Sequence, residues 1–329
     1  MRMTSIPVID ISPFLEGTPE GRDKVAAEVK QACEEIGFFL IKGHGVDQPI
    51  IDATYDSAAD FFKLPLEEKL NIKQPPGNIP RGYTPFKGET LSASLGNAAP
   101  ADLKEMIDMG PVDVPEGEYF HGEQAAYYFY PNLFPEKPEV FKTTMQSYYR
   151  RMNRLANDLM GIFASALGLP DDFFFDKLDK NISALRVICY PEQSEAPEPG
   201  QIRAGAHTDY GTLTILMSDK AAGGLQAQHR DGYWVDVTIE PGTYVINIGD
   251  IMQIWTNDQW VSTMHRVVNP PTEVASTARR HSVVFFHQPN YDALIETLPT
   301  CFDETNPRRY EPVTYKEHWN HKWNSSRKM

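Results

Sequence analysis

The chain has 329 residues, of which 41% are hydrophobic and 23% are charged, and its 31 basic and 45 acidic side chains give a formal net charge of −14. This composition is typical of a globular protein with a substantial buried core, and the acidic excess argues against nucleic acid as a partner. No apolar run approaches the roughly 20 residues of a membrane helix, and no signal peptide is evident. The three cysteines are widely spaced and odd in number, which argues against a disulfide framework. We therefore expect a cytoplasmic protein without a membrane partner, either monomeric or homo-oligomeric.

The first third of the chain alternates between strand-like and helix-like patterns. Ile6-Pro-Val-Ile-Asp-Ile predicts a short strand, and apolar residues recur at helical spacing across residues 21–37. A buried strand is predicted to begin at Phe38, and a second helical pattern covers residues 50–70. These patterns predict an N-terminal α/β region.

The middle of the chain is punctuated by proline and glycine. Residues 74–138 show little sustained periodicity, which predicts an ordered loop region of the kind that shapes a pocket. A long amphipathic helix is then predicted from Phe141 to Leu167, and it stops at Gly168-Leu-Pro. We expect this helix to pack against a sheet.

From Ile182 onward, short runs rich in β-branched and aromatic residues are separated by turn residues. The runs are ALRVICYP, TLTILMSD, GLQAQHRDGYWVDV, TYVINIGDIMQIW, VSTMHRVVNPP and RRHSVVFFHQPN. Strands at such regular spacing predict an antiparallel sandwich or barrel. A terminal helix is predicted over residues 315–326.

His207, Asp209 and His265 are candidate metal ligands. Side chains at i and i+2 of a strand point to the same face, so His207 and Asp209 can reach one ion, and His265 arrives from another strand-like run. Two imidazoles and one carboxylate leave several positions open on an octahedral metal, an arrangement typical of non-haem Fe(II) oxygenases. The same ligands also suit Zn(II), so the residues alone leave the identity of the metal open.

Arg280 and Ser282 form a second same-face pair, on the run that we expect to be the last core strand. A guanidinium and a hydroxyl that project together into a barrel can bind a carboxylate between them. The alternative interpretation of this pair alone is a solvated strand end.

Several segments of the sequence resemble the iron and 2-oxoglutarate-dependent oxygenase superfamily, specifically the branch that includes isopenicillin N synthase and many plant hydroxylases. The resemblance covers most of the chain in matching order and rough spacing. It rests on IPVIDIS, CEEIGFFLIKGHGV, RGY and DLKE in the first third, and on GAHTDYGTLTIL, GGLQ, GDIMQIWTND, HRVV and RHSVVFFHQPN in the rest.

The resemblance implies a mainly β fold with flanking helices, built on a double-stranded β-helix (jelly-roll, cupin-like) core with an N-terminal α/β region. It further implies one compact catalytic unit over residues 1–329. Within that unit, residues 5–130 would cover the barrel mouth, residues 180–292 would form the oxygenase core, and residues 310–329 would form a C-terminal helix and tail.

The resemblance also implies a role for particular residues. Fe(II) would be bound by His207, Asp209 and His265. The cosubstrate 2-oxoglutarate would be held by Arg280, Ser282 and Tyr190. The substrate-binding candidates are Arg81, Tyr83, Phe86, Lys104 and Phe286. The implied reaction consumes O₂ and 2-oxoglutarate, releases succinate and CO₂, and oxidises a small-molecule substrate, for which we expect hydroxylation.

Other functions are compatible with parts of this pattern. A cyclase like isopenicillin N synthase would use Fe(II) and O₂ without 2-oxoglutarate, but the tail HKWNSSRKM lacks the glutamine that the cyclase has near its end. An ethylene-forming variant shares the same motifs. A Zn(II) hydrolase would leave Arg280 and Ser282 without a role, and a catalytically silent binding module would have no need of three intact metal ligands.

Overall fold

Two large sheets, a third sheet of two short strands, and flanking helices make up the computed structural model, which describes residue 3 and residues 5–95, 99–219 and 224–326. The strands are β1 (Val8–Asp10), β2 (Phe38–Lys42), β3 (Gly82–Thr84), β4 (Glu105–Met109), β5 (Ala184–Tyr190), β6 (Ala204–His207), β7 (Leu213–Ser218), β8 (Leu225–Gln228), β9 (Trp234–Asp236), β10 (Tyr244–Ile248), β11 (His265–Val267), β12 (Arg280–His287), β13 (Leu294–Ile295) and β14 (Val313–Thr314). The helices are α1 (Ser12–Leu15), α2 (Pro19–Glu35), α3 (Gln48–Lys63), α4 (Leu66–Leu70), α5 (Glu118–His121), α6 (Phe141–Ala166), α7 (Phe175–Leu178), α8 (Asp250–Trp255) and α9 (Tyr315–Ser326). The predicted β core with flanking helices is thus confirmed. Among the described residues, no helix is both long enough and apolar enough to span a membrane.

The larger sheet has the strand order β1-β2-β10-β7-β12-β5-β4-β3, and the smaller has the order β6-β11-β8-β9. The β1·β2 pair is parallel, whereas the other pairs in these two sheets are antiparallel. An apolar cluster joins the two sheets, with Ile188 and Val284 on the larger and Leu225 and Val267 on the smaller. The space between the sheets is therefore a second core, and it holds the cavity described below.

The outer face of the larger sheet is covered by α2, α3 and α6. Helix α6 presents apolar residues at three- and four-residue spacing, among them Met145, Met152, Leu159 and Phe163, and all four are buried. The ring of Phe163 lies 6.5 Å from that of Phe39 on β2 and 5.2 Å from that of Trp260. This layer holds the sheet from behind and leaves its other face to the cavity.

Truncation of Phe163 to Ala should lower the free energy of unfolding by about 3–5 kcal/mol, because a fully buried aromatic ring leaves a cavity behind. Chemical denaturation measures this loss. As a control, Val140→Ala at the exposed start of α6 should change it by no more than about 0.5 kcal/mol. A loss below about 1 kcal/mol for Phe163→Ala would contradict the packing of α6 against the sheet.

The structure corrects three details of the sequence prediction. The loop region at residues 74–138 contains β3 and β4, which extend the larger sheet beyond β5. All five residues of β4 are buried, so its sequence lacks the alternation that marks a half-exposed strand. The run TYVINIGDIMQIW is not one strand: it bends at Gly249 into α8. The helical pattern over residues 50–70 is interrupted at Pro65, where α3 gives way to α4.

Candidate metal centre and cosubstrate pocket

A cavity of about 1240 Å³, including its open mouth, lies between the two sheets. Side chains from both sheets line it, including Tyr190 and Ser282 from the larger sheet and His207 and His265 from the smaller. Along β12 the side chains alternate, so that Arg280, Ser282, Val284 and Phe286 face the cavity while the residues between them do not line it. The pocket therefore collects residues that are far apart in the sequence.

His207, Asp209 and His265 meet on one wall of this cavity. His207 is the last residue of β6 and lies directly opposite His265, the first residue of β11. Oδ1 of Asp209 lies 3.9 Å from Nε2 of His207 and 3.8 Å from Nε2 of His265, and the three candidate ligand atoms all lie within 4.8 Å of one another. Asp209 follows the end of β6 rather than continuing it, so its direction is set by other contacts.

The two imidazoles are oriented by backbone carbonyl groups. Nδ1 of His207 lies 2.7 Å from the carbonyl oxygen of Gly205, and Nδ1 of His265 lies 3.0 Å from that of Thr263. A proton on each Nδ1 would leave the lone pair of each Nε2 directed at the common centre. Burial and the neighbouring imidazole of His265 lower the pKa of His207 to about 3, so that this ring is neutral, as a metal ligand must be.

The carboxylate of Asp209 is held by two donors on neighbouring strands. Oγ1 of Thr214 on β7 and Nδ2 of Asn247 on β10 both donate to Oδ2, at 2.5 Å and 2.8 Å. Oδ1 is thereby left facing the two imidazoles. Burial alone would raise the pKa of Asp209, but the two histidines and these hydrogen bonds lower it below its ordinary value. The Asp209 carboxylate is therefore anionic, and its Oδ1 is directed toward the two imidazoles.

Replacing Asn247 with Leu should weaken Fe(II) binding about 10- to 100-fold, because Oδ2 of Asp209 loses a donor that fixes its orientation. Anaerobic titration with Fe(II) measures the affinity. The same substitution at Asn153 on α6, away from the cavity, serves as the control and should leave the affinity unchanged. Equal affinities for the Asn247 variant and the wild type would mean that Asn247 does not orient the ligand.

Arg280 is a buried cation that faces the same cavity. It pairs in register with Tyr190 on β5, and its guanidinium carbon lies 5.1 Å from the centre of the Tyr190 ring. Although the residue is only 2% exposed, its Nη1 has no hydrogen-bond partner among the described residues. Ser282, two residues along, donates from Oγ to Oγ of Ser218 at 3.0 Å. A buried donor without a partner costs about 1–3 kcal/mol, so this geometry favours an anionic ligand.

The substrate-binding candidates divide into two groups. Arg81, Lys104 and Phe286 line the cavity, but the guanidinium of Arg81 is committed to the carbonyl groups of Pro80, Tyr128 and Tyr130. Tyr83 and Phe86 do not line it: the hydroxyl of Tyr83 donates to Glu105 in the core, and Phe86 is 45% exposed. Pro80, Arg81 and Glu89, on either side of these two residues in the sequence, do line the cavity.

Sequence reasoning missed a buried ion network at the same cavity. Arg186 on β5 binds Asp108 through Nε and Nη2 at 2.7 and 3.1 Å and binds Glu89 through Nη1. Nζ of Lys104 lies 2.8 Å from Glu89 and 3.0 Å from Asp102. Burial would lower the pKa of Lys104, but those two carboxylates outweigh burial and raise it. One signal was present: an arginine in the middle of an otherwise apolar strand needs buried partners.

Comparison with known proteins places this site in a family. Two protein-family models match the chain. The family described as the N-terminal region of non-haem dioxygenases in morphine synthesis matches residues 6–137, and the 2OG-Fe(II) oxygenase superfamily matches residues 181–289. A homoarginine-6-hydroxylase of Oryza sativa subsp. japonica is 35% identical over 95% of each chain. A full-length Neurospora crassa protein solved with α-ketoglutarate and thymine has a TM-score of 0.84 and 32% identity, covering 97% of this chain and 96% of that one. A Caulobacter crescentus protein of the 2OG-Fe(II) oxygenase family has a TM-score of 0.84 and 33% identity, covering 98% and 99%.

α-Ketoglutarate and 2-oxoglutarate are the same compound, so the solved Neurospora complex holds the cosubstrate that the family name gives. The three converging candidate ligands fit a metal ion, and Nη1 of Arg280, which has no hydrogen-bond partner among the described residues, fits an anion in the same cavity. The chain belongs to the 2OG-Fe(II) oxygenase superfamily and is an oxidoreductase, a dioxygenase that uses Fe(II) and 2-oxoglutarate.

Proposed function

We propose that the chain hydroxylates a small polar molecule at an Fe(II) ion held by His207, Asp209 and His265. The convergence of three buried candidate ligand atoms within 4.8 Å, at the wall of the cavity, carries this proposal. With 2-oxoglutarate bound, the metal ion supplies the activation of O₂. The protein contributes the directions of the ligands, through hydrogen bonds from or to Gly205, Thr263, Thr214 and Asn247.

We propose that Arg280, Ser282 and Tyr190 hold the distal carboxylate of 2-oxoglutarate. The support is Nη1 of Arg280, for which the described part of the chain offers no hydrogen-bond partner, together with the packing of Arg280 over the Tyr190 ring and the position of Ser282 on the same face of β12. The carboxylate would accept hydrogen bonds from the guanidinium and from the Ser282 hydroxyl, which can turn from Ser218 toward the ligand.

For the substrate we propose the end of the cavity that Lys104, Arg186 and Phe286 line. Buried cations and carboxylates there are suited to a polar group of a ligand, whereas Phe286 offers an apolar surface. The relatives named above act on homoarginine or were solved with thymine, and both are small polar molecules. A small polar molecule that contains nitrogen is therefore our first choice of substrate class.

We also propose that β5 to β12 form the jelly roll, or double-stranded β-helix, of a cupin-like core. In support, β5, β7, β10 and β12 lie side by side in the larger sheet while β6, β8, β9 and β11 form the smaller one. Around it we propose one catalytic unit over residues 1–329, in which residues 5–130 cover the barrel mouth, residues 180–292 form the oxygenase core and residues 310–329 form a C-terminal helix and tail. Positions 1, 2, 4, 96–98, 220–223 and 327–329 lie outside the described residues.

A screen for succinate release tests this function. The protein is supplied with Fe(II), O₂ and 2-oxoglutarate, and amino acids and nucleobases are added one at a time. The expected result is a compound that stimulates succinate release and gains one oxygen atom in proportion, as mass spectrometry measures. A compound that is oxidised without any succinate release would contradict the proposal and favour the cyclase-like alternative.

A further inference from the structure

The C-terminal helix α9 supplies part of the cavity wall. Trp319 and Trp323 both line the cavity, and their indole rings stack with their centres 4.9 Å apart. Trp319 also packs edge-on against Tyr128, another cavity residue, at 5.9 Å, and Nε1 of Trp323 donates to the carbonyl oxygen of Asn78 at 2.7 Å. Two large aromatic side chains at the cavity therefore depend on where this one helix lies.

The same helix carries two groups that meet one buried carboxylate. Nζ of Lys322 lies 2.8 Å from Oδ2 of Asp250, and Nε2 of His318 lies 3.7 Å from the same oxygen. The Asp250 side chain is 12% exposed, and its other oxygen accepts a hydrogen bond from Ser262 at 2.7 Å. His318 and Lys322 are four residues apart, so they lie on one side of α9, and Trp319 and Trp323, also four apart, lie on the neighbouring side.

Asp250 is in turn bonded to the loop that carries a candidate metal ligand. Its backbone N–H donates to the carbonyl oxygen of Asp209 at 2.8 Å. Nζ of Lys322 also donates to Oγ1 of Thr208 at 3.3 Å and lies 5.9 Å from the centre of the Tyr210 ring, so it reaches both neighbours of Asp209. One lysine and one aspartate thus connect the C-terminal helix to the wall on which the metal would sit.

We infer that Asp250 is a positioning residue that fastens α9 through Lys322 and His318 and so holds Trp319 and Trp323 against the substrate end of the cavity. The inference rests on the proposed function for the identity of that cavity. A partly buried ion pair with an imidazole beside it orients a helix more strongly than apolar contact alone, because the contact fixes the rotation of the helix as well as its position. Loss of the pair should loosen the aromatic wall and spare the metal and cosubstrate ends.

Hydrogen exchange of the full-length protein tests the inference. In Asp250→Asn and in Lys322→Met, amides of residues 315–326 should exchange about tenfold faster, whereas those of β12 keep their rate. Lys322→Arg should retain the wild-type rate, because arginine can restore the charge pair. Lys316→Met on the same helix is the control, since its ammonium contacts only Gln124, at 3.4 Å, among the described residues.

Binding and kinetics separate positioning from simple destabilisation. Anaerobic affinities for Fe(II) and for 2-oxoglutarate should be unchanged in Asp250→Asn and Lys322→Met, while the KM for the substrate found by the succinate screen rises about tenfold and kcat changes less. The Asp250→Asn/Lys322→Met double variant should be no worse than either single variant.

If the amides of α9 exchange at the wild-type rate in both single variants, the inference is overturned. It is also overturned if the amides of β12 exchange faster by the same factor as those of α9, because that result would indicate a general loss of stability. Failure of the proposed function is distinguishable from this result. In that case wild-type protein would bind neither Fe(II) nor 2-oxoglutarate at the proposed residues, whereas the exchange pattern of α9 would persist.

Discussion

Asp209→Ala is expected to abolish stoichiometric Fe(II) binding and to reduce turnover below detection. The substitution removes one of three candidate ligands and the sole carboxylate among them, and it leaves two imidazoles with ring centres 4.3 Å apart. It also leaves the donors of Thr214 and Asn247 without their acceptor. Iron content after anaerobic reconstitution and gel filtration measures the binding, and 2-oxoglutarate-dependent succinate release measures the turnover.

Asp231→Ala is the matched control for Asp209→Ala. Asp231 lies in the turn between β8 and β9, and its side chain is 78% exposed, so this variant should bind iron as the wild type does. Circular dichroism of both variants establishes that they are folded. Full iron content and full activity in Asp209→Ala would contradict the metal site proposed here.

Arg280→Leu should raise the 2-oxoglutarate concentration required for half-maximal activity about 30- to 700-fold while Fe(II) remains bound. The estimate follows from the roughly 2–4 kcal/mol typically lost when a buried charge pair is broken on one side, at about 1.4 kcal/mol per factor of ten. Leucine also returns no hydrogen bond to the distal carboxylate. A 2-oxoglutarate titration at saturating Fe(II) measures the shift.

The neighbouring residue provides the control for Arg280→Leu. Arg279 precedes β12, has a side chain that is 37% exposed and pairs with Glu192 at 2.9 Å, outside the cavity. Arg279→Leu should therefore leave the 2-oxoglutarate requirement close to that of the wild type. If the two variants shift the requirement equally, or Arg280→Leu leaves it unaltered, the cosubstrate carboxylate lies elsewhere.

Sequence patterns predicted the strands that carry the site because these strands are short runs rich in β-branched and aromatic residues between turn residues. The period of two along RHSVVFFH places Arg280 and Ser282 on one face, and this face is the one that lines the cavity. The terminal helix has the bounds that its pattern predicted. The pairing of His207 with His265 was not predictable, because strand partners that are distant in the sequence are chosen by the packing of the whole sheet.

Asp209 does lie beside the two histidines, as the sequence predicted, but for a reason that the sequence did not contain. The i, i+2 argument assumed one strand, but β6 ends at His207. Two hydrogen bonds, from Thr214 and Asn247, turn the carboxylate toward the imidazoles instead. Contacts of this kind join residues up to 38 positions apart, and no local periodicity encodes them.

The partners in the ion network around Arg186, and the contacts of α9 with Asp250, were likewise not predicted from sequence patterns. Charged residues are ordinarily exposed, so Asp108, Lys104 and Asp250 gave no sign of burial. Only the fold brings them together: β4 lies beside β5, and α9 returns to the loop after β6. Buried charges in the middle of apolar strands are the one local clue that such partners exist.

An anaerobic spectroscopic titration tests the central claim most directly. Fe(II) and then 2-oxoglutarate are added to the wild type, to Asp209→Ala and to Arg280→Leu, and the visible charge-transfer band of the iron-bound keto acid is recorded. The account predicts the band in the wild type, its absence in Asp209→Ala, and its appearance in Arg280→Leu only at a much higher 2-oxoglutarate concentration. A band of wild-type strength in Asp209→Ala, or none in iron-loaded wild type, would contradict it.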